Sequence, residues 1–199
     1  MKIVTVSGTC SEVGKTGLVC DLLARLPGWS AIKVTRGHYR SCGRDPDTCC
    51  VSPLLGDEPR VFAERADTEV EGKDTGRYWE AGATDVRWVV VSRGQERAGV
   101  ARALAELRGH AGVVIEGNTV VEGLEPDLAL MVARPGQKEV KVSARRILDR
   151  IDALYVPDEN GGRSHVDPGA LVGAPGPWGR LVWGPRDLDR IARELRGGA

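Results

Sequence analysis

Short runs of consecutive apolar residues alternate along this chain with segments whose apolar positions recur every three or four residues. The first run, KIVTV (2–6), predicts a strand, and beyond Thr16 the residues Leu18, Val19, Leu22, Leu23 and Leu26 share one face at helical spacing. Pro27-Gly28 stops that helix, and WSAIKV (29–34) predicts the next strand. Further strands are expected at VRWVVV (86–91), AGVVIEGN (111–118), LALMVA (128–133), ALYV (153–156) and RLVWG (180–184). Between them, helices are expected at DTGRYWEAGA (74–83) and across 95–109, where Val100, Ala103, Leu104 and Leu107 repeat at i, i+3, i+4 and i+7. Ala144, Ile147, Leu148 and Ile151 give the same spacing, as do Leu188, Ile191, Ala192 and Leu195 in a final helix.

Near-continuous apolar strands alternating with amphipathic helices imply a parallel sheet covered on both faces. The fold expected is therefore α/β, a three-layer, doubly wound, mostly parallel sheet. With 199 residues, 41% of them hydrophobic, the chain can bury a substantial core, and residues 1–199 read as one domain without internal repeats. The periodicity breaks at about 35–74, a Cys-containing stretch rich in Gly, Pro and Asp that reads as an irregular insertion. Residues 157–180 are rich in Gly and Pro and read as loop.

Charge changes this picture only by exclusion. The 28 basic and 28 acidic residues balance, which gives no reason to expect a nucleic acid or a membrane surface as partner. No apolar run approaches the about 20 residues that span a bilayer, and the first residues lack a signal-peptide pattern, so the expectation is a cytoplasmic protein. Five cysteines, an odd number, then read as free thiols or metal ligands rather than disulfides.

The chemistry concentrates in GTCSEVGKT (8–16), which follows the first strand and opens the first helix. A glycine-rich turn between strand and helix is the context in which backbone N–H groups and the helix dipole receive phosphate. Lys15 supplies a charge to the β- and γ-phosphates, and the Thr16 hydroxyl can join a Mg²⁺ shell. The expected nucleotide-binding residues are Gly8, Thr9, Cys10, Ser11, Glu12, Val13, Gly14, Lys15, Thr16 and Gly17. Five residues rather than the usual four separate Gly8 from Gly14.

That longer loop resembles the G-T-D-T-E-V-G-K-T loop of dethiobiotin synthetase, from which it differs only at Cys10 and Ser11. EGKDTGRYWEAGATDVRWVVV, in turn, resembles the K-D-[ST]-x-R-x-x-x-A-G-A segment of MobB, the GTP-binding adaptor of molybdopterin-guanine dinucleotide biosynthesis. VVIEGN is similar to a strand ending in V-E-G in both families. The resemblance covers about 1–34 and 72–160 and implies a P-loop NTPase of the group that also holds the nickel-inserting GTPases. It implies Mg²⁺ and GTP or ATP as cofactors, and a homodimer. It also makes Glu116 the acidic residue that binds or orients Mg²⁺, and gives Lys33 a position near the γ-phosphate. In dethiobiotin synthetase a proline follows that lysine, whereas Val34 follows here. Glu12 is retained in the resembled loop, with a contact to backbone or metal implied.

With Lys15, Lys33 and Glu116 as the catalytic candidates, Asp45, Asp47 and Asp74 offer oxygen for a second Mg²⁺ ligand. His38, Cys42, Cys49 and Cys50 satisfy a tetrahedral Zn²⁺ count and could alternatively hold an Fe–S cluster. Their spacing matches no standard pattern, and free thiols in a loop are the other reading. Cys20 reads as packing, and His110 and His165 as structural or solvated. No N-K-x-D guanine signature is present, so ATP and GTP both stay open. Three functions fit: a MobB-like NTPase that works with a protein partner in cofactor maturation, an ATP-dependent synthetase of the dethiobiotin type, and a metal-insertion NTPase using the cysteine loop.

Overall fold

A computed structural model describes residues 1–37, 51–134, 140–157 and 182–197. Its strands are β1 (Lys2–Gly8), β2 (Trp29–Arg36), β3 (Arg60–Phe62), β4 (Val86–Val91), β5 (Gly112–Glu116), β6 (Leu128–Val132), β7 (Ala153–Tyr155) and β8 (Val182–Trp183). They form one sheet in the order β3-β4-β2-β5-β1-β6-β7-β8. Every pairing is parallel except β3 with β4. The helices are α1 (Lys15–Leu23), α2 (Arg65–Thr68), α3 (Asp74–Glu80), α4 (Glu96–Glu106), α5 (Val142–Arg145) and α6 (Leu188–Leu195).

Alternation along the strands separates the two faces. Val4, Val6, Ala31, Val114, Leu130 and Tyr155 pack in one cluster with residues of α1, α3 and α6. On the other face, Ile32, Val89, Val113 and Ile115 meet Val100, Ala103 and Leu107 of the α4 segment. Farther along that face, Met131 and Leu154 meet Ala144 and Ile147 at α5. Adjacent strand residues thus serve opposite layers, which is why the central strands carry no polar face. The result is the expected three-layer α/β arrangement. Strands β1, β2, β5 and β6 run side by side and in parallel, so their carboxyl ends share one edge, where ligands bind in open α/β sheets.

Two expectations need correction. The stretch read as irregular to residue 74 contains β3 and α2 within its described part. β3 is an antiparallel edge strand of three residues, too short for periodicity to reveal, and Phe62 stacks on its cross-strand partner Trp88 with centroids 5.0 Å apart. The helix expected across 144–151 is instead the four-residue α5 followed by a 3-10 turn, Leu148–Arg150. There Ile147 N–H donates to Ala144 O and Arg150 N–H to Ile147 O, the tighter i→i+3 pattern that ends a helix. Residues 38–50, 135–139, 158–181 and 198–199 lie outside the description.

Candidate functional site

Leaving the sheet edge at Gly8, the backbone turns through the loop and enters α1 at Lys15. Gly14 makes that entry with φ 105°, a left-handed conformation that glycine adopts without steric cost. Gly8 is required by close approach, since a Cβ there would lie 2.7 Å from Val13 Cγ1 and 2.8 Å from Lys15 Cγ. Asn118, just beyond β5, grips the loop's first residue from both sides: Gly8 N–H donates to its Oδ1 at 2.9 Å, and its Nδ2 donates to Gly8 O at 2.8 Å. Thr9 N–H donates to Val132 O at 3.0 Å, and Lys141 N–H donates to Thr9 O at 2.8 Å, so the end of β6 and the start of α5 hold the next residue. From Cys10 to Gly14, by contrast, no acceptor among the described residues takes the backbone N–H groups. A run of such donors ahead of a helix is the feature that receives an anion.

Beside the loop, four side chains from four elements meet. Sheet register aligns Glu116, the last residue of β5, with Val6 of β1 and Lys33 of β2. Asp74 opens α3, and Thr16 lies in the first turn of α1. Lys33 Nζ bridges the carboxylates, at 2.5 Å from Glu116 Oε1 and 2.6 Å from Asp74 Oδ2. The remaining oxygens, Glu116 Oε2 and Asp74 Oδ1, both lie 3.0 Å from Thr16 Oγ1. Tyr78 OH, one turn along α3 from Asp74, also donates to Glu116 Oε2.

The electrostatics follow from burial and pairing. Burial opposes the charge on Lys33, but Glu116 and Asp74 outweigh it and raise the ammonium above its ordinary value. Burial likewise works against ionised Asp74, and there Lys33 and the Thr16 hydroxyl prevail and hold the carboxyl below its usual range. Tyr78 is pushed well above the usual phenol value, chiefly by burial and then by Glu116. Lys15 moves the other way. Burial lowers it, Lys33 and Lys141 add to that, and attraction to Glu116 and Asp74 offsets only part. Its ammonium donates to Cys10 O at 3.4 Å.

This cluster fits a magnesium ion. The Thr16 hydroxyl oxygen lies 3.0 Å from one oxygen of each of two carboxylates, so three oxygen ligands from three elements stand together. Hard oxygen donors of this kind are those Mg²⁺ selects. Thr16, Asp74 and Glu116 would hold it, with Lys33 confined to the opposite carboxylate oxygens.

The other expected residues fare differently. Gly17 sits within the first turn of α1. Glu12 is exposed, and at φ 57° it is the one non-glycine residue in the left-handed region among those described. Cys10 Sγ donates to Ser11 O at 3.1 Å. Cys20 is partly buried, and burial pushes its thiol up to about 11, in keeping with a packing role. His110 Nδ1 shares a 2.7 Å hydrogen bond with Ser30 Oγ, a structural contact. Asp45, Asp47, His38, Cys42, Cys49, Cys50 and His165 lie outside the described residues. Among the described residues no group of three His, Cys, Asp or Glu side chains could hold a metal, and no helix is long and apolar enough to cross a membrane.

Sequence reasoning missed Asn118, Tyr78 and Lys141. Asn118 was legible only as the last residue of an expected strand, and Tyr78 only as part of a helix. Lys141 Nζ donates to Ser11 Oγ at 2.6 Å across 130 residues of sequence, which no local pattern signals.

No family model matches the chain, and no curated protein does. Among solved structures it is similar to LpxK from Aquifex aeolicus, described as an "apo" form in complex with ATP. Identity is 16% and the TM-score 0.49, over 92% of this chain and 53% of that one, so the chain spans about half that protein's length.

Proposed function

We propose that this protein is a Mg²⁺-dependent, nucleotide-binding P-loop NTPase of the MobB type, using GTP or ATP in the maturation of molybdenum cofactor or another cofactor. The observation that carries this reading is the meeting of Thr16, Asp74, Glu116 and Lys33 beside a glycine loop whose N–H groups from Cys10 to Gly14 meet no acceptor among the described residues. Lys15 and the loop N–H groups would neutralise the β- and γ-phosphates. Bound through Thr16, Asp74 and Glu116, Mg²⁺ supplies further charge neutralisation at the phosphates. Lys33 pairs with one oxygen of each carboxylate and keeps Asp74 ionised, and Tyr78 fixes the orientation of Glu116. A homodimer working with a protein partner accompanies the MobB reading.

A second reading, an ATP-dependent synthetase of the dethiobiotin type, draws on a cavity of about 350 Å³ lined by Lys33, Thr35, Val70, Asp74 and Trp88. That space adjoins the lysine–carboxylate cluster and suits a small substrate. The metal-insertion reading depends on the cysteine loop, which lies outside the described residues.

Equilibrium binding of fluorescent ATP and GTP analogues with Mg²⁺, to wild type and to Lys15→Ala, tests the proposal. Tight Mg²⁺-dependent binding to wild type and a loss of at least about 100-fold in Lys15→Ala are expected, since a charged group then lacks its partner. Equal affinity in the two proteins would sink the phosphate-loop assignment. A preference for GTP favours the MobB reading, and a preference for ATP the synthetase.

A further inference from the structure

A larger cavity, about 890 Å³, opens at the same sheet edge and belongs to none of the contacts described above except through its rim. Arg36 at the end of β2, Arg93 after β4, Lys141 before α5 and Arg146 after it all line it. Four cations from three separate crossings face one lining carboxylate, Glu122. Arg36 is paired with Glu96 at 3.4 Å, but Arg93 and Arg146 have no ion pair or side-chain hydrogen bond among the described residues. The hydroxyls of Thr119 and Ser143 add neutral donors to the same wall.

The cavity abuts the loop. Lys141, on its rim, reaches Ser11 Oγ at 2.6 Å, and Ser143 Oγ lies 3.4 Å from Nδ2 of Asn118, which holds Gly8. Cations gathered in a concave site focus their field and repel one another until an anion is present. Guanidinium groups with neighbouring hydroxyls match the several acceptors of a phosphate group, which a lone carboxylate would under-use. The volume lies within the about 300–1,000 Å³ typical of small-molecule sites.

From this we infer that the cavity binds a second, phosphate-bearing small molecule, held by Arg93, Arg146 and Lys141 next to the nucleotide loop. This deepens the nucleotide reading by giving the site's second ligand a chemical class. The phosphate-bearing ligand is distinct from the triphosphate on Lys15, because its arginines come from the ends of β4 and α5.

Inorganic pyrophosphate is the probe, titrated calorimetrically into the protein already saturated with Mg²⁺ and a non-hydrolysable nucleotide. Further titrations use Arg93→Ala/Arg146→Ala, the exposed control pair Arg108→Ala/Arg193→Ala, and Lys15→Ala without nucleotide. Wild type should bind one equivalent. The first pair should bind about tenfold or more weakly, as when charge-assisted contacts to an anion are removed, while the control pair and Lys15→Ala should keep the affinity. No binding to wild type, or an equal loss in the control pair, overturns the inference. Failure of the nucleotide itself to bind would overturn the proposed function. Selective loss in the arginine pair, against retention in Lys15→Ala, would still support the cavity.

Discussion

At the scale of single residues, the least conspicuous side chain of the site makes the sharpest prediction. Asn118 supplies an acceptor to Gly8 N–H and a donor to Gly8 O, so it stands in for a strand neighbour where β1 leaves the sheet. Asn118→Ala leaves both backbone groups without that partner, and Gly8 is buried. An unmet buried group costs about 1–3 kcal/mol, which should appear as a lower urea midpoint together with weaker nucleotide binding. Asn118→Asp retains the acceptor but sets a charge against Gly8 O, and should bind no better than Asn118→Ala. Unchanged midpoint and affinity in both would show the brace to be idle. Asn118 also marks where the sequence stops being legible. Lys15, Thr16, Lys33 and Glu116 could be found because each sits at a fixed place in a motif or at the end of an apolar run. Asn118 and Tyr78 act through partners 110 and 38 residues away, and nothing local distinguishes them from a turn residue and a core aromatic.

Among elements, legibility followed burial. β1, β2, β4, β5 and β6 are sandwiched between layers, so their sequences are apolar almost throughout and announce themselves. β3 is held by β4 at the sheet's edge and by the stacking of Phe62 on Trp88, a tertiary contact with no period to detect. The same dependence on packing governs α4, where Gly99 faces the sheet. A Cβ at Gly99 would lie 2.8 Å from Val89 Cγ1 and 2.9 Å from Val91 Cγ1, both on buried β4 residues. Gly99→Ala would gain about 1 kcal/mol in helix propensity and lose about 1–3 kcal/mol to overpacking. Overpacking should win, because Val89 and Val91 are branched at Cβ and fixed in a close-packed layer. The expected outcome is a lower urea midpoint with helical circular dichroism retained. A raised midpoint would mean that α4 can lift off the sheet at little cost.

For the whole molecule, the site's charge cluster sets how stability depends on pH. The folded value of Asp74 is depressed, so its contribution is present above its unfolded value, about 3.9, and is lost as pH falls through the folded one. Lys33 is raised, so its contribution is complete below its unfolded value and lost as pH climbs through the folded one. Tyr78 has the same sign: above about pH 10 the unfolded chain ionises its phenol while the fold holds it neutral. Lys15 alone opposes these two, since a lowered lysine makes the fold more stable as pH rises toward its unfolded value. Tyr78 is fully buried and Lys33 is held by two carboxylates, whereas partial burial drives the shift of Lys15, so the alkaline limb should fall. Urea midpoints measured across pH should therefore form a plateau through neutrality, dropping below about pH 4 and again above about pH 10. Tyr78→Phe should flatten the alkaline drop even if it lowers the plateau, and Asp74→Asn should shallow the acid one. An alkaline limb that is the same with and without the Tyr78 hydroxyl would show that the buried Tyr78–Glu116 contact does not couple to folding. Saturating Mg²⁺-nucleotide adds a signature of its own. A phosphate beside Lys15 restores a partner for its charge, and at 100 times Kd the ligand should raise stability by about 2.7 kcal/mol. That gain should shrink at alkaline pH as Lys15 loses its proton, and in Lys15→Ala it should be largely absent at every pH.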